Sequence, residues 1–400
     1  MFFALRGDNF NGNTFAEKAL ELGATYSIVD EKYYATHPNC ILVDNVLQTL
    51  QHLATYHRKQ LALPIIALTG SNGKTTTKEL INAVLSTQFK TSSTQGNLNN
   101  HIGVPLTLLR MTNETEIGIV EMGANHHKEI EMLCNIALPD YGLITNFGKA
   151  HLEGFGSVEG VIQAKSELYD HLKKYHKTIF VNENDAIQLK QTNGYKHLKL
   201  FGSKTSNGVF LELLTSQPFV SLQYEGTVIN SHLAGDYNFN NIAVAVAIGN
   251  YFKISTANIV SAIENYTPTN NRSQIIEQNG NSILMDAYNA NPTSMLAALE
   301  NFKQLQHPNK VLFIGDMFEL GADAEQEHQA IVDYLEKNSF EMVYLIGENF
   351  FKTRTTQKYI HQFRVFDDLK SELSSIKIKD KFILIKGSRG MALERILELI

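Results

Sequence analysis

Residues 64–79 read PIIALTGSNGKTTTKE, and the fold follows from how that stretch is built. Pro64 to Leu68 is a short apolar, β-branched run of the kind that forms a buried strand. Lys78 to Leu85 reads as a helix. Between them stand Gly70, Gly73, Lys74 and Thr75. A strand that enters a glycine-bearing turn and leaves as a helix is the geometry that cradles phosphate. Glycines let backbone N–H groups approach the anion, the helix N-terminus adds partial positive charge, and lysine supplies a point charge. A hydroxyl directly after that lysine is placed to bind Mg²⁺. The spacing departs from G-x-x-x-x-G-K-[ST], because Leu68 holds the place of the first glycine. GKT by itself would suit an ordinary Thr- and Gly-rich turn. With a strand before and a helix after, the expected ligand is the phosphate chain of ATP. Its expected contacts are Gly70, Ser71, Asn72, Gly73, Lys74, Thr75 and Thr76.

The 400 residues leave room for two or three domains and a large core. Hydrophobic content of 43% and charged content of 19% are those of an ordinary globular protein. No apolar run approaches a membrane span, and the first residues do not resemble a signal peptide. The two cysteines, Cys40 and Cys134, offer neither metal-ligand spacing nor a disulfide framework. The chain therefore reads as cytoplasmic. A net charge of −6 without a basic stripe argues against nucleic acid as a partner.

Residues 1–63 read as a small N-terminal α/β domain. Met1 to Leu5 has a buried-strand pattern, Arg6 to Asn13 is a polar turn segment, and Phe15 to Leu22 is helical with Gly23 as its cap. Strands near Tyr26 to Val29 and Ile41 to Val43 precede a helix over Val46 to Arg58. Residues 64–267 form the central P-loop domain. Its strands, Pro64 to Leu68, Ile117 to Val120, Tyr141 to Thr145 and Thr178 to Val181, are near-continuous apolar runs with helices between, the signature of a mainly parallel sheet. Ligands gather beyond the carboxyl ends of such strands. There lie Thr69-Gly70, Glu121-Met122-Gly123, and Asn146-Phe147-Gly148 leading to His151, so three polar strand ends are expected to face one cleft. From Lys199 to Leu233 the period shifts toward two, an antiparallel elaboration. A helix follows near Phe239 to Tyr251. After a polar linker, Thr267 to Asn271, residues 268–400 alternate strands and helices as a Rossmann-like domain. Its first turn, DAYNANPTS, has no G-x-G-x-x-G, which argues against a dinucleotide.

Assembled, the chain resembles the Mur ligase family, and within it the branch that adds D-alanyl-D-alanine. The resemblance runs from residue 2 to the end through FFALRGDNF, ALTGSNGKTTTKE, GNLNNHIGVPLTLL, EMGANHHKEI, NFGKAHLEGFGS, AKSELY, AGDYNFNNIAVAVAIG, DAYNANPTSM, GDMFELG and KGSRGMALE. It implies an N-terminal UDP-substrate domain, a central ATPase domain and a C-terminal domain closing over the nucleotide. It also implies ATP-dependent amide formation in cell-wall synthesis, with UDP-N-acetylmuramoyl-tripeptide and D-Ala-D-Ala as substrates, in a monomer.

On that resemblance, Lys74 neutralises the β/γ-phosphates, and Thr75 and Glu121 bind a first Mg²⁺. His151 matches a histidine of the second metal. Lys165, in AKSELY, matches a lysine that CO₂ converts to a carbamate, turning a cation into an anion that holds or orients the second Mg²⁺. Taken alone, Glu121 would be a solvated strand end, His151 one of 14 histidines, and Lys165 a solvated helix lysine. Asn97, Asn100 and His101 are expected on the substrate side of the cleft, though the same asparagines would serve as caps for the next helix. Asn238 and Asn241 match family asparagines close to the adenine. Arg272 resembles an arginine reaching ATP across the domain gap, although Asn271 stands where the family has glycine. Asp286, Tyr288, Asn289 and Asn291 should face ATP. Asp316, Glu319, Lys386, Ser388 and Arg389 are expected on the D-Ala-D-Ala side or at the closed interface.

Two features depart from the pattern. The family's Ser/Thr-Asp-Ser-Arg segment ahead of FFALRG, which helps bind uridine, is not in this sequence. The acidic wording that follows reads Asn11-Gly12-Asn13-Thr14-Phe15. Because Met1 to Leu5 reads as an interior strand with nothing ahead of it, the expectation is that an N-terminal piece of the natural protein is missing. Two other functions stay open at this point: a folylpolyglutamate synthase-like ligase, and a non-catalytic nucleotide-binding scaffold.

Overall fold

The structure, a computed structural model, describes residues 1–204, 207–269, 271–338 and 340–400. Thr205, Ser206, Asn270 and Ser339 lie outside the described residues, and with them one residue of the expected linker and two of the stretch from Lys199 to Leu233.

The strand Ile65–Thr69 sits inside a seven-stranded sheet in which every neighbour is parallel. Its order is Val209–Phe210, Leu198–Gly202, Thr178–Asn182, Tyr141–Ile144, Ile65–Thr69, Ile117–Glu121, Thr91–Ser93. Side chains of a strand alternate between faces. Ile65 and Ala67 thus enter one apolar cluster with Leu133 and Leu168, while Ile66 and Leu68 enter another with Leu80, Val84 and Ile242. Burial on both faces explains why these strands are apolar without alternation. The helix Tyr237–Tyr251 is buried almost all round and lies against the phosphate-turn helix Lys74–Leu85. Gly249 permits that approach, since a Cβ there would stand 2.6 Å from Val84 Cγ1.

The C-terminal sheet runs Gln274–Gln278, Asn281–Asp286, Phe382–Lys386, Lys310–Gly315, Met342–Ile346, Ile360–Phe363; its first pair is antiparallel and the others parallel. One apolar cluster continues from Ala67 and Ile144 of the central sheet into Leu284 and Leu312 of this one. The N-terminal sheet is three short parallel strands, Phe2–Phe3, Ser27–Val29 and Cys40–Leu42. Helix Val46–Leu61 ties it to the central sheet. Arg58, 8% exposed, donates from Nε to Ala137 O (3.1 Å) and from Nη2 to Leu138 O (3.2 Å) and Asp140 Oδ2 (2.7 Å).

The structure corrects several expectations. Helix Lys74–Leu85 starts four residues before Lys78, because Thr75, Thr76 and Thr77 give no apolar periodicity although they complete its first turn. Arg6 to Asn13 contains a hairpin, Arg6–Gly7 with Phe10–Asn11. Strands Gln274–Gln278 and Ile360–Phe363 were not expected. Both are sheet edges, half exposed and mixed in polarity, so an apolar-run reading passes over them. The antiparallel elaboration begins at Glu212 rather than Lys199, since Leu198–Gly202 and Val209–Phe210 extend the parallel sheet.

Asp140 also accepts from Ile65 N (3.1 Å) and Lys177 Nζ (2.6 Å), so Arg58 is one of three groups meeting it. Asp140 is partly exposed and keeps Lys177, so Arg58→Ala removes chiefly the buried guanidinium's hydrogen bonds and is expected to lower unfolding free energy by about 1–2 kcal/mol. Urea denaturation checks this, and a change within ~0.5 kcal/mol would show the contact does not anchor the helix.

Candidate active site

The phosphate turn is shaped by its neighbour. Gly70 (φ +146°) lies where a Cβ would stand 2.0 Å from Thr145 Oγ1. Thr145 Oγ1 donates to Asn72 O (2.6 Å), Asn146 Nδ2 donates to the same oxygen (3.0 Å), and Asn72 N donates to Asn146 Oδ1 (3.0 Å). Ser71 N reaches Asn146 O (3.1 Å), and Ser71 Oγ accepts from Gly148 N (2.9 Å). At the far end Gly73 (φ +78°) faces Asn241, whose Oδ1 would lie 2.6 Å from a Cβ. Asn241 Oδ1 accepts from Thr77 Oγ1 (3.0 Å), its Nδ2 donates to Asn238 Oδ1 (2.8 Å), and Asn238 Nδ2 donates to Ala234 O (2.7 Å). Lys74 Nζ donates to Gly70 O (2.7 Å) and Ser71 O (3.3 Å). Burial pushes its pKa down, against the pull of Glu121.

Beside the turn, Glu121 ends its strand only 1% exposed. Oε1 accepts from Asn99 Nδ2 (2.8 Å), while Oε2 is buried with no hydrogen-bond partner. A buried carboxylate oxygen left bare is costly, and a hard cation satisfies it best. The donor set therefore fits Mg²⁺. Lys165 is wholly buried on helix Val158–Lys174. Its Nζ donates to Ala124 O (3.1 Å) and stands 5.1 Å from the Phe155 ring centre. Burial first, and then the charge of Lys74, bring its pKa down to about 7. Burial thus favours the neutral amine over the ammonium ion at this position. His151, at φ +53°, has Nδ1 against the carboxylate of Glu319 from the C-terminal sheet, and that contact holds the Glu319 carboxyl below the usual range.

The opposite wall comes from the C-terminal sheet. The Arg272 guanidinium lies 3.7 Å over the Tyr288 ring, and its Nε is buried without a partner. Asp286 accepts from Lys386 Nζ (2.5 Å) and Ser273 N (3.2 Å). Ser273 Oγ meets Tyr237 OH (2.9 Å), which carries the network back to the central sheet. Asn291 caps helix Pro292–Gln304 and donates to Asn72 Oδ1 (2.7 Å).

A cleft of about 810 Å³ gathers these groups. Ser71, Asn72, Gly73, Lys74, Thr75, Thr76, Asn97, Asn100, His101, Glu121, His151, Asn238, Asn241, Arg272, Asp286, Tyr288 and Asn289 all line it. So do Glu319, Lys386, Ser388 and Arg389. Gly70, Lys165 and Asn291 stand just behind the lining. Asp316 does not face the cleft: it is 2% exposed and accepts from Asn349 N and Phe350 N (both 2.9 Å) as a helix cap. Asn146, named at a strand end expected to face the cleft, does line it. Sequence reasoning passed over Asn99 and Tyr237, which also line it; both adjoin residues it did single out, so proximity in sequence was the available signal.

A parallel sheet with a phosphate turn at its centre, faced by a second α/β sheet across one cleft, defines a nucleotide-dependent enzyme with two walls. The model of the Mur ligase middle domain matches residues 68–249, and that of the Mur ligase, glutamate ligase domain matches residues 271–389. The chain belongs to the Mur ligase family and is an ATP-dependent ligase. It is 36% identical to UDP-N-acetylmuramoyl-tripeptide--D-alanyl-D-alanine ligase of Bacillus subtilis over 418 residues, covering 100% of this chain and 89% of the relative. Among solved structures, MurF from Acinetobacter baumannii has a TM-score of 0.86 at 30% identity, over 99% of this chain and 89% of that one. The MurF ligase from Thermotoga maritima in complex with ADP has a TM-score of 0.86 at 26% identity, over 99% and 92%.

The contact of Gly73 with Asn241 is testable. Gly73→Ala places a methyl against the amide in a left-handed backbone and is expected to weaken ADP binding by roughly ten-fold, about 1.4 kcal/mol. Titration calorimetry measures it, and unchanged affinity would mean that the turn does not need this close approach.

Proposed function

We propose that this ligase joins D-alanyl-D-alanine to the free carboxylate of UDP-N-acetylmuramoyl-tripeptide, consuming ATP and giving ADP, phosphate and the pentapeptide product. The observation that carries the reading is one cleft lined by the phosphate turn and by a carboxylate with a bare buried oxygen, with the buried Lys165 directly behind it on Ala124 O. The relatives' shared name supplies the substrates and disfavours a folate substrate. A nucleotide-binding scaffold would not need Lys74, Glu121, His151 and Lys165 together.

A carboxylate becomes reactive toward an amine once its oxygen is made a leaving group. In the proposed first step the tripeptide carboxylate attacks the γ-phosphorus of ATP, forming an acyl phosphate and releasing ADP. The D-Ala-D-Ala amine then adds to the acyl carbon, loses a proton, and expels phosphate as the tetrahedral adduct collapses. Phosphoryl transfer of this kind is charge neutralisation and in-line positioning. Lys74 takes the β/γ-phosphates, leaving its carbonyl partners in the turn. The turn from Gly70 to Thr76 holds the phosphate chain, with the N–H groups of Ser71 and Asn72 shaping the turn through Asn146 and those from Gly73 to Thr76, at the end of helix Lys74–Leu85, meeting the anion. Arg272 on Tyr288, with Asp286, Asn289 and Asn291, brings the second wall to the nucleotide, and Asn238 and Asn241 stand toward the adenine. Thr75 and Glu121 would hold one Mg²⁺, and His151 with carbamylated Lys165 a second. Mg²⁺ supplies charge at the transferring phosphoryl group. Asn97 and His101 line the substrate side, while Asn100 is already spent as a cap, its Oδ1 accepting from Gly103 N (2.9 Å). The chain divides, on this proposal, at 63/64 and 267/268, with the first unit taking the UDP group.

Phosphate release that depends on both UDP-N-acetylmuramoyl-tripeptide and D-Ala-D-Ala tests the reading directly. Release indifferent to the dipeptide would overturn it. Within that assay, Glu121→Ala should lower kcat by about 10²–10³-fold with folding little changed, the usual cost of one preorganised charge. Lys165→Ala should be inactive and partly rescued by short carboxylic acids that fill the vacated anionic place. Lys165→Arg should not be rescued, because its bulk remains and its charge has the wrong sign. Full activity in Lys165→Arg would make this a structural lysine.

A further inference from the structure

Lys78 stands one turn after Lys74 on helix Lys74–Leu85, is 3% exposed and does not line the cleft. Its Nζ donates to Thr94 O (2.8 Å) and lies 3.7 Å from Glu79 Oε1. Taking a lysine head group out of water for one carbonyl adds little to stability, so the purpose of the contact lies in what Thr94 carries. Thr94 is where the chain leaves the edge strand Thr91–Ser93. Its N–H donates to Ile119 O (3.0 Å) and completes the parallel ladder. The next rung of such a ladder would run from Glu121 N to Thr94 O. Instead Glu121 N donates to Thr94 Oγ1 (2.9 Å), and the carbonyl is turned to Lys78. The strand stops there, and residues 95–97 run exposed. The chain is caught again at Asn99, whose carbonyl accepts from Gly123 N (2.8 Å) and whose Nδ2 donates to Glu121 Oε1 (2.8 Å). Gly123 permits that closeness, since a Cβ there would stand 2.8 Å from Asn99 Oδ1. Both ends of the loop thus fasten on Glu121, one on its backbone and one on its side chain, and the stretch brings Asn97 and His101 to the cleft.

We propose that Lys78 is a positioning residue for the substrate side of the cleft: by holding the Thr94 carbonyl out of the ladder, it ends the edge strand and fixes where residues 95–101 stand. Without Nζ the carbonyl is free to return to Glu121 N, which lengthens the strand by one residue and draws Asn97 away from its place. The helix that begins at the phosphate turn therefore also sets the loop facing the other substrate. One rigid element places both, and small misplacements of reacting groups slow a reaction whose parts are otherwise intact. The inference rests on the reading of Asn97 and His101 as the face toward UDP-N-acetylmuramoyl-tripeptide.

The test uses the full chain. In Lys78→Met, which keeps the length of the side chain and removes the donor, amide hydrogen exchange across 94–103 should quicken by about ten-fold, while exchange across 70–77 stays within about two-fold. Glu79 keeps Tyr266 OH (2.5 Å) and some exposure to solvent, so the variant leaves no bare buried charge and is expected to fold. Thr94→Val, which removes the hydroxyl and keeps the shape, is the second variant, with the same segment expected to quicken. Lys78→Arg should restore part of the protection, because it still donates. By calorimetry, Lys78→Met should bind UDP-N-acetylmuramoyl-tripeptide about ten-fold more weakly, with the affinity for ADP within about two-fold. Unchanged exchange across 94–103 in both variants overturns the proposal. Exchange quickened evenly along the chain, or both ligands weakened alike, makes Lys78 a structural residue only and overturns it as well. Quickened exchange in the loop with unchanged tripeptide affinity overturns its part in substrate placement. A wild type that binds no tripeptide removes the underlying reading instead and leaves the exchange result intact.

Discussion

The turn that would hold phosphate does not hold itself. Between Gly70 and Gly73 its backbone is pinned by Thr145 and Asn146, which end the adjacent strand Tyr141–Ile144. Gly70 can lie there only because it has no side chain, since Thr145 occupies the space where one would be. A loop tied so closely to a largely buried strand has its shape set before any ligand arrives: Ser71 N and Asn72 N are held by Asn146, and the turn hands over to the helix at Gly73. Such preorganisation is what makes a backbone anion site effective. The helix behind the turn is fixed by the same logic, through Asn241 against Gly73 and Thr77.

The second wall is arranged around that turn. Asn291 touches Asn72 directly, Tyr237 links through Ser273 to Asp286, and Lys149 donates to Thr293 Oγ1 (2.9 Å). These are polar bridges beside a continuous apolar cluster, so the two sheets share a core as well as a cleft. Charge inside the cleft is handled unevenly. Lys386 and Asp286 neutralise each other, Arg272 rests on an aromatic face, and Lys74 bonds to carbonyls of its own turn. Glu121 Oε2 and Arg272 Nε are left without partners. One is an acceptor and the other a donor, a division that suits a ligand bringing both cation and phosphate.

Much of this was legible beforehand, for identifiable reasons. The buried parallel strands announce themselves as apolar runs ending in Gly or polar residues, and the strand ends named from sequence do border one cleft. Edge strands such as Gln274–Gln278 escaped because half-exposed strands carry mixed polarity. The start of helix Lys74–Leu85 escaped because its first turn is built of threonines that serve the turn rather than the core. Asp316, next to cleft residues in sequence, faces away because a helix N-terminus claims both its oxygens. Nothing in GDMFELG distinguishes that aspartate from Glu319, three residues later, which crosses to His151.

By itself the sequence determined the class of fold, the phosphate turn and the set of residue types available for chemistry. Those depend on local order: hydrophobic period, glycine placement, and a lysine and hydroxyl at the head of a helix. Tertiary structure alone decided which of those residues share a space and in what state. Lys165 is a helix lysine in sequence, and only burial beside Lys74 brings its pKa to about 7. Glu121 is a strand end until its neighbours satisfy one oxygen and leave the other bare. Desolvation and the proximity of charge depend on distances between segments far apart in the chain, which no local pattern encodes.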